Sequence, residues 1–246
     1  MSGHSKWATI KHAKGAADAK RGQIFTKLIK EISIAARMGG GDANGNPRLR
    51  TAIIKARGAN MPKDNIDRAI KKGTGELEGV NYEELTYEAY AGGGVGLLIE
   101  VLTDNKNRVA ADVRNILTRG GGELAKAGSV SRLFKRRGVF TLDGEKYNED
   151  QVMEAALEGG AEDVTTISGI IEVTSAPEDF EAVMESLSAK NIETLSAEIS
   201  MVADAEVNLD NDATAKALRM IDKLEENDDV QNVYHNMALP EGYNPE

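Results

Sequence analysis

Cysteine is absent from the 246 residues, which excludes disulfides, thiolate metal sites and a cysteine nucleophile. No run approaches the roughly 18 consecutive apolar residues that a membrane helix requires. The opening stretch, Met1 to Lys14, is polar and basic and has no apolar signal core, so export by the usual route is not expected. A cytoplasmic location is the plain expectation. Histidine is scarce: His4 and His12 lie among lysines, a poor place to hold a cation, and His235 stands alone. The sequence contains no HExxH and no Gly-Lys dipeptide, which removes the zinc-hydrolase and Walker A signatures. Gly92, Gly93, Gly94 and Gly96 fail the dinucleotide fingerprint because Leu97 follows. Acidic runs such as Glu225, Glu226, Asp228 and Asp229 lack calcium-loop spacing. No cofactor, metal or catalytic residue is therefore expected.

Charge is plentiful but unevenly placed. Residues 1–75 hold 16 Lys and Arg against 5 Asp and Glu, an excess of 11 positive charges. The remaining residues hold 14 basic and 35 acidic groups, an excess of 21 negative charges. The overall charge of -10 hides this division. A basic segment followed by an acidic body predicts a module aimed at a polyanion, attached to a body that the polyanion would repel. The alternative is a helical surface merely solvated by Lys and Arg. The excess persists over three successive elements with few acids to balance it, which favours a polyanion partner.

Apolar periodicity predicts a helix from about Ala16 to Met38 (Phe25, Leu28, Ile29, Ile32, Ala36), ended by Gly39 to Gly41. A second opens at Asn46-Pro47, an N-cap followed by first-turn proline, and stops at Gly58. A third begins near Pro62 and terminates at Gly73. After a linker the pattern turns to strands: a hairpin of Leu85 to Tyr90 and Val95 to Thr103, a helix from Lys106 to Arg119, and a strand at Val130 to Phe134. From Val139 the order strand, helix, strand, strand, helix, strand reads as a ferredoxin-like unit. The tail supplies a helix from Asp212 to Glu225 and a strand from Val230 to Met237. Those two cannot fold alone, so they return to the first sheet and make the ferredoxin-like unit an insertion. The expected class is α+β with three domains: a basic three-helix bundle over 1–75, a middle α/β sandwich over 80–134 plus 203–238, and the ferredoxin-like domain over 135–202.

The opening Gly3-His4-Ser5-Lys6-Trp7-Ala8-Thr9-Ile10-Lys11-His12-Ala13-Lys14, followed by Asp18-Ala19-Lys20-Arg21-Gly22, resembles the signature of the YebC/PmpR family. Further matches are Asn46-Pro47-Arg48-Leu49-Arg50, Asn60 to Ile66, Leu102 to Arg108, Gly128-Ser129-Val130 and Gly160 to Val164, so the likeness spans nearly the whole chain. It departs from the family pattern at Ala91-Gly92, where Gly-Pro is frequent, and at Ala125, where glycine is. The resemblance implies a cytoplasmic three-domain protein without catalysis or cofactor. Bacterial members are described as DNA-binding transcriptional regulators, mitochondrial ones as translational activators, and some bacterial ones as aiding ribosomes stalled on proline-rich sequence. Because the sequence starts directly on the motif, no transit peptide is expected.

Phosphate neutralisation is expected from Lys6, Lys11, Lys14, Lys20 and Arg21 on the opening arm and from Arg48, Arg50 and Lys55 on the second helix. Trp7 is placed to stack on an unpaired base or to plug the bundle, and His12 to contact phosphate or cap a helix; both pairs of readings stay open. DNA and ribosomal RNA present the same phosphates. No element clusters Asn, Gln and Arg as a sure recognition helix, which tilts the expectation toward structured RNA or the ribosome. The expected protein is a monomer that engages no membrane. Two rivals from other classes remain, a small-molecule sensor using the ferredoxin-like domain and an enzyme with an unrecognised site.

Overall fold

The computed structural model describes residues 18–167 and 169–240. The first helix, α1 (Asp18–Gly39), buries Ile32, Ala35 and Ala36 against α2 (Pro47–Gly58) and α3 (Lys63–Thr74), which contribute Leu49, Ala52, Ala56, Ile66 and Ala69. Asn46 does more than the sequence suggests. Its side-chain oxygen accepts from the Leu49 N–H (3.1 Å), capping α2, while Nδ2 donates to the carbonyls of Ala35 (2.8 Å) and Gly40 (2.9 Å) at the end of α1. One buried amide thus satisfies two helix ends at once. A Cβ on Gly39 would sit 2.6 Å from that Nδ2, so only glycine leaves room for it.

The expected stop at Gly73 is corrected. The helix continues through Gly73 and ends at Gly75 in the left-handed region (φ 83°). Gly73 serves packing instead: a Cβ there would lie 2.3 Å from the Ser33 carbonyl, so its absence lets α3 cross closely over α1.

The middle sheet is built from β1 (Glu83–Tyr90) and β2 (Gly96–Thr103), antiparallel from Glu83↔Thr103 to Tyr90↔Gly96. The other edge of β2 takes β9 (Val230–His235), with Leu97 opposite His235 and Ile99 opposite Val233. The chain therefore returns to this sheet. One face is covered by α4 (Lys106–Gly120) and α7 (Asn211–Glu225), which enclose Leu97, Ile99, Val101, Val113, Leu117, Ile221 and Leu224.

The fourth strand is not the expected Val130 to Phe134 segment but β3 (Glu123–Leu124), paired with β1. The reason is a competition for hydrogen bonds. The Glu88 carboxylate accepts from the backbone N–H groups of Gly128 (2.7 Å), Val130 (2.5 Å) and Ser131 (2.9 Å), so that segment's donors are taken before a ladder could use them. Burial pushes the Glu88 carboxyl up, but these donors outweigh it and hold its pKa below the ordinary value.

Phe134 instead opens β4 (Phe134–Asp143), the first strand of a second sheet. It continues as α5 (Glu149–Glu158), β5 (Ala161–Ile167), β6 (Ile170–Ser175), α6 (Phe180–Ala189) and β7 (Ser196–Ala203), with every strand pair antiparallel and the order β5-β6-β4-β7. Both helices cover one face over Phe140, Leu142, Ile171 and Val173. A short parallel pair, β8 (Val207–Asn208) with β10 (Met237–Ala238), closes the return path. The whole is a mixed α/β structure with seven α-helices and two four-stranded antiparallel sheets among the described residues.

Asn46→Ala removes one helix cap and two bonds to a neighbouring helix end. Urea unfolding should show a loss of about 2–3 kcal/mol, and Asn46→Ser, which keeps the cap, about half of that. Equal losses would mean that the tie to α1 contributes nothing.

Candidate nucleic-acid interface

The residues expected to meet phosphate separate into groups. Lys6, Trp7, Lys11, His12 and Lys14 lie outside the described residues, as does the side chain of Lys20; Arg21 stands exposed on α1. The rest sit on α2, where an advance of 100° per residue divides the cations between two flanks. Leu49, Ala52, Ile53 and Ala56 face inward. Arg48 and Lys55, seven residues apart, fall on one flank; Arg50 and Arg57, also seven apart, fall on the other, with the exposed Thr51 and Ile54 between them.

The first flank is already occupied. Arg48 forks onto Glu31 (Nε to Oε1 2.7 Å, Nη2 to Oε2 3.0 Å) and also pairs with Glu84 on β1. The bonds from Glu31 and Glu84 hold the Arg48 pKa above its already high ordinary value against the opposing effect of burial. Lys55 Nζ lies 3.1 Å from Glu198 on β7. Arg48 and Lys55, two expected phosphate contacts, thus bind carboxylates of the body that was expected only to repel the ligand. On the second flank, Arg50 and Arg57 are exposed and form no ion pair among the described residues. Arg57 was not among the expected phosphate contacts, and the flank assignment sets it beside Arg50. Arg68, Lys71 and Lys72 are likewise exposed, on α3.

Lys30, within the basic segment, is not a surface cation. It is 7% exposed and its Nζ bonds Asp229 Oδ1 (2.5 Å) and the Asp228 carbonyl (2.8 Å), 5.7 Å from the centre of the Tyr82 ring. Asp229 is also bound by Arg108 Nη2 (2.8 Å) and the Thr103 hydroxyl (3.0 Å). Gln23 and Lys27, further along the same side of α1, donate to the Glu226 (2.8 Å) and Glu225 (2.6 Å) carbonyls. These donors meet the carbonyl end of α7, where cations are favoured by unpaired acceptors and the helix dipole. The sequence showed both partners as charge runs and gave no sign of their meeting across about 200 residues.

A groove of about 510 Å³ lies in the second sheet's unit and is lined by Arg137, Glu162, Asp163, Glu172, Asp204 and Glu206 among others. Its carboxylates disfavour phosphate. No group of three or more His, Asp or Glu among the described residues is placed to hold a metal, and no described helix is long and apolar enough to cross a membrane.

A positively charged helical unit set by polar contacts on two antiparallel α/β units defines a class of multi-unit α+β protein. The profile described as the TACO1/YebC protein N-terminal domain matches residues 5–76, and that described as the TACO1/YebC second and third domain matches residues 82–237. The chain belongs to the TACO1/YebC family. A relative from Treponema denticola named "Probable transcriptional regulatory protein" is 67% identical over 243 residues, covering 99% of this chain and 98% of its own. One of the same name from Borreliella burgdorferi is 54% identical over 241 residues, covering 98% and 99%. The crystal structure of a conserved hypothetical protein from Aquifex aeolicus superposes with a TM-score of 0.82 at 42% identity, covering 93% of this chain and 95% of that one. Both of these curated relatives thus carry the name of a probable transcriptional regulator.

Asp229 gives the helical unit's attachment a pH dependence. Burial pushes its carboxyl up, but Lys30 and then Arg108 outweigh this and hold it below the ordinary value. The unfolded chain therefore takes up the proton first. The contribution is complete above the ordinary carboxylate value of about 3.9 and is lost as pH falls through the lowered one. Calorimetry from about pH 5 down to about pH 2 should show the wild-type Tm falling more steeply than that of Asp229→Asn, which starts lower. Parallel curves would show that this carboxylate does not couple protons to folding.

Proposed function

We propose that the protein is a non-enzymatic regulator of gene expression that binds nucleic acid through its basic helical unit. The observation that carries this reading is the partition of charge, 11 excess positive charges in residues 1–75 against 21 excess negative charges beyond. The exposed Arg50 and Arg57 flank of α2 supplies cations that no carboxylate of the chain neutralises among the described residues. Lys6, Lys11, Lys14, Lys20 and Arg21 add to this charge, and Trp7 and His12 stand beside it in sequence. Each cation that meets a phosphate releases condensed counterions, which yields affinity with little sequence preference. The relatives' names support promoter DNA as the target. The lack of a side-chain cluster suited to base edges supports structured RNA, including ribosomal RNA, and a role in translation. The working organisation is a bundle over 1–75, a middle domain over 80–134 plus 203–238, and a ferredoxin-like domain over 135–202, acting as a cytoplasmic monomer. Crosslinking in cells followed by sequencing of the bound nucleic acid separates the two targets: enrichment of promoter DNA selects transcription, and enrichment of ribosomal RNA selects translation.

Arg50→Glu with Arg57→Glu should weaken binding to a short duplex roughly tenfold or more at low salt and reduce the log-log salt slope by about 2. The melting temperature should stay that of the wild type, because neither side chain is in the core. Lys11→Glu with Lys14→Glu should act in the same direction. Undiminished affinity in both variants, measured by mobility shift, would refute the assignment of the surface.

A further inference from the structure

The three units are joined in two different ways. The two sheets share an apolar seam in which Leu98, Val130 and Tyr234 meet Phe134, with Met201 and Ala203 packed against them. None of the four buried apolar clusters draws on both the helical unit and the rest of the chain. Among the described residues the contacts that carry the helical unit are polar, and relative motion is the default for units whose interface has no large apolar core.

These polar contacts are unequal. Lys30 and Asp229 are 7% and 4% exposed, and separating a buried pair strands a charge away from water. The side chains of Lys55 and Glu198 are 53% and 44% exposed, those of Arg48 and Glu84 36% and 45%. Exposed pairs are weak and screened by salt. One side of the helical unit is therefore anchored, and the side bearing the Arg48 and Lys55 flank is held lightly, by one carboxylate from each sheet.

We propose that Glu84 and Glu198 are internal stand-ins for phosphate: they latch the Arg48 and Lys55 flank of α2 to the two sheets, and nucleic acid displaces them, opening the helical unit about the Lys30–Asp229 anchor. This rests on the nucleic-acid reading above and concerns its regulation. Carboxylate and phosphate oxygens accept the same donors, but a duplex brings many phosphates and releases counterions, whereas each latch is one exposed carboxylate. Arg48 keeps its fork to Glu31 after release, so Lys55 is the cation that changes hands. Release of Glu84 brings the Arg48 cluster from one net negative charge to neutrality. Opening thus frees a cation on this flank of α2 and withdraws two anions from it.

The full chain tests this directly. The sequence has no cysteine, so Thr51→Cys and Ser188→Cys, both exposed, give a single donor and acceptor dye pair spanning α2 and α6. Addition of a short DNA duplex or an RNA hairpin should lengthen the distance, as should raised salt without either probe. Glu84→Gln with Glu198→Gln should be open without probe and bind about three- to tenfold more tightly at low salt. The control, Glu181→Gln with Glu185→Gln on α6, changes net charge equally at exposed residues that pair with no cation among those described. Equal tightening in the control overturns the latch, as does binding of either probe at an unchanged distance. In both cases the nucleic-acid reading survives. Failure of the wild type to bind either probe overturns both.

Discussion

The arrangement of the units depends on a buried ion pair between residues 199 positions apart. Lys30 reaches Asp229 at a point where α7 has just ended and its last carbonyls face outward without helical partners. A cation placed there meets a carboxylate, backbone acceptors and the negative end of a helix dipole together. Arg108 and Thr103 bind the same carboxylate from the middle sheet. Asp229 therefore fastens the helical unit to the element that returns the chain to its sheet. If β9 did not return to β2, there would be no anchor for α1.

The division of labour on α2 follows from helix geometry. Cations seven residues apart repeat on one flank, so two such pairs, offset by two residues, face opposite sides. One side meets Glu84 and Glu198; the other meets no carboxylate among the described residues. The charge excess of the N-terminal segment is thus partly spent within the molecule. Net charge overstates what remains for a ligand while these pairs hold, because an arginine forked onto one carboxylate and touching another has its positive charge already balanced.

The periodic stripes of α1, α2, α4 and α7, the hairpin and the βαββαβ order were all legible in the sequence, because burial of one face imposes a period of 3.6 or 2 on the chain. Two local readings were not. Gly73 reads as a stop because glycine commonly ends helices, yet its missing side chain is used by the Ser33 carbonyl of another helix. Val130 to Phe134 reads as one apolar strand, yet Glu88 takes the N–H groups at its start and Phe134 joins a different sheet.

The sequence by itself determined the family, the sign and position of the charge, and the kinds of element in their order. These are properties of neighbouring residues, fixed by side-chain chemistry and local periodicity. Only the tertiary structure decided which cations remain available. Whether Lys30 is buried against Asp229, Arg48 shared between two carboxylates, or Arg50 exposed to solvent depends on partners far away in sequence. Coulomb attraction and desolvation act over a few ångströms of space, and a residue's place in the chain does not record who its neighbours are there.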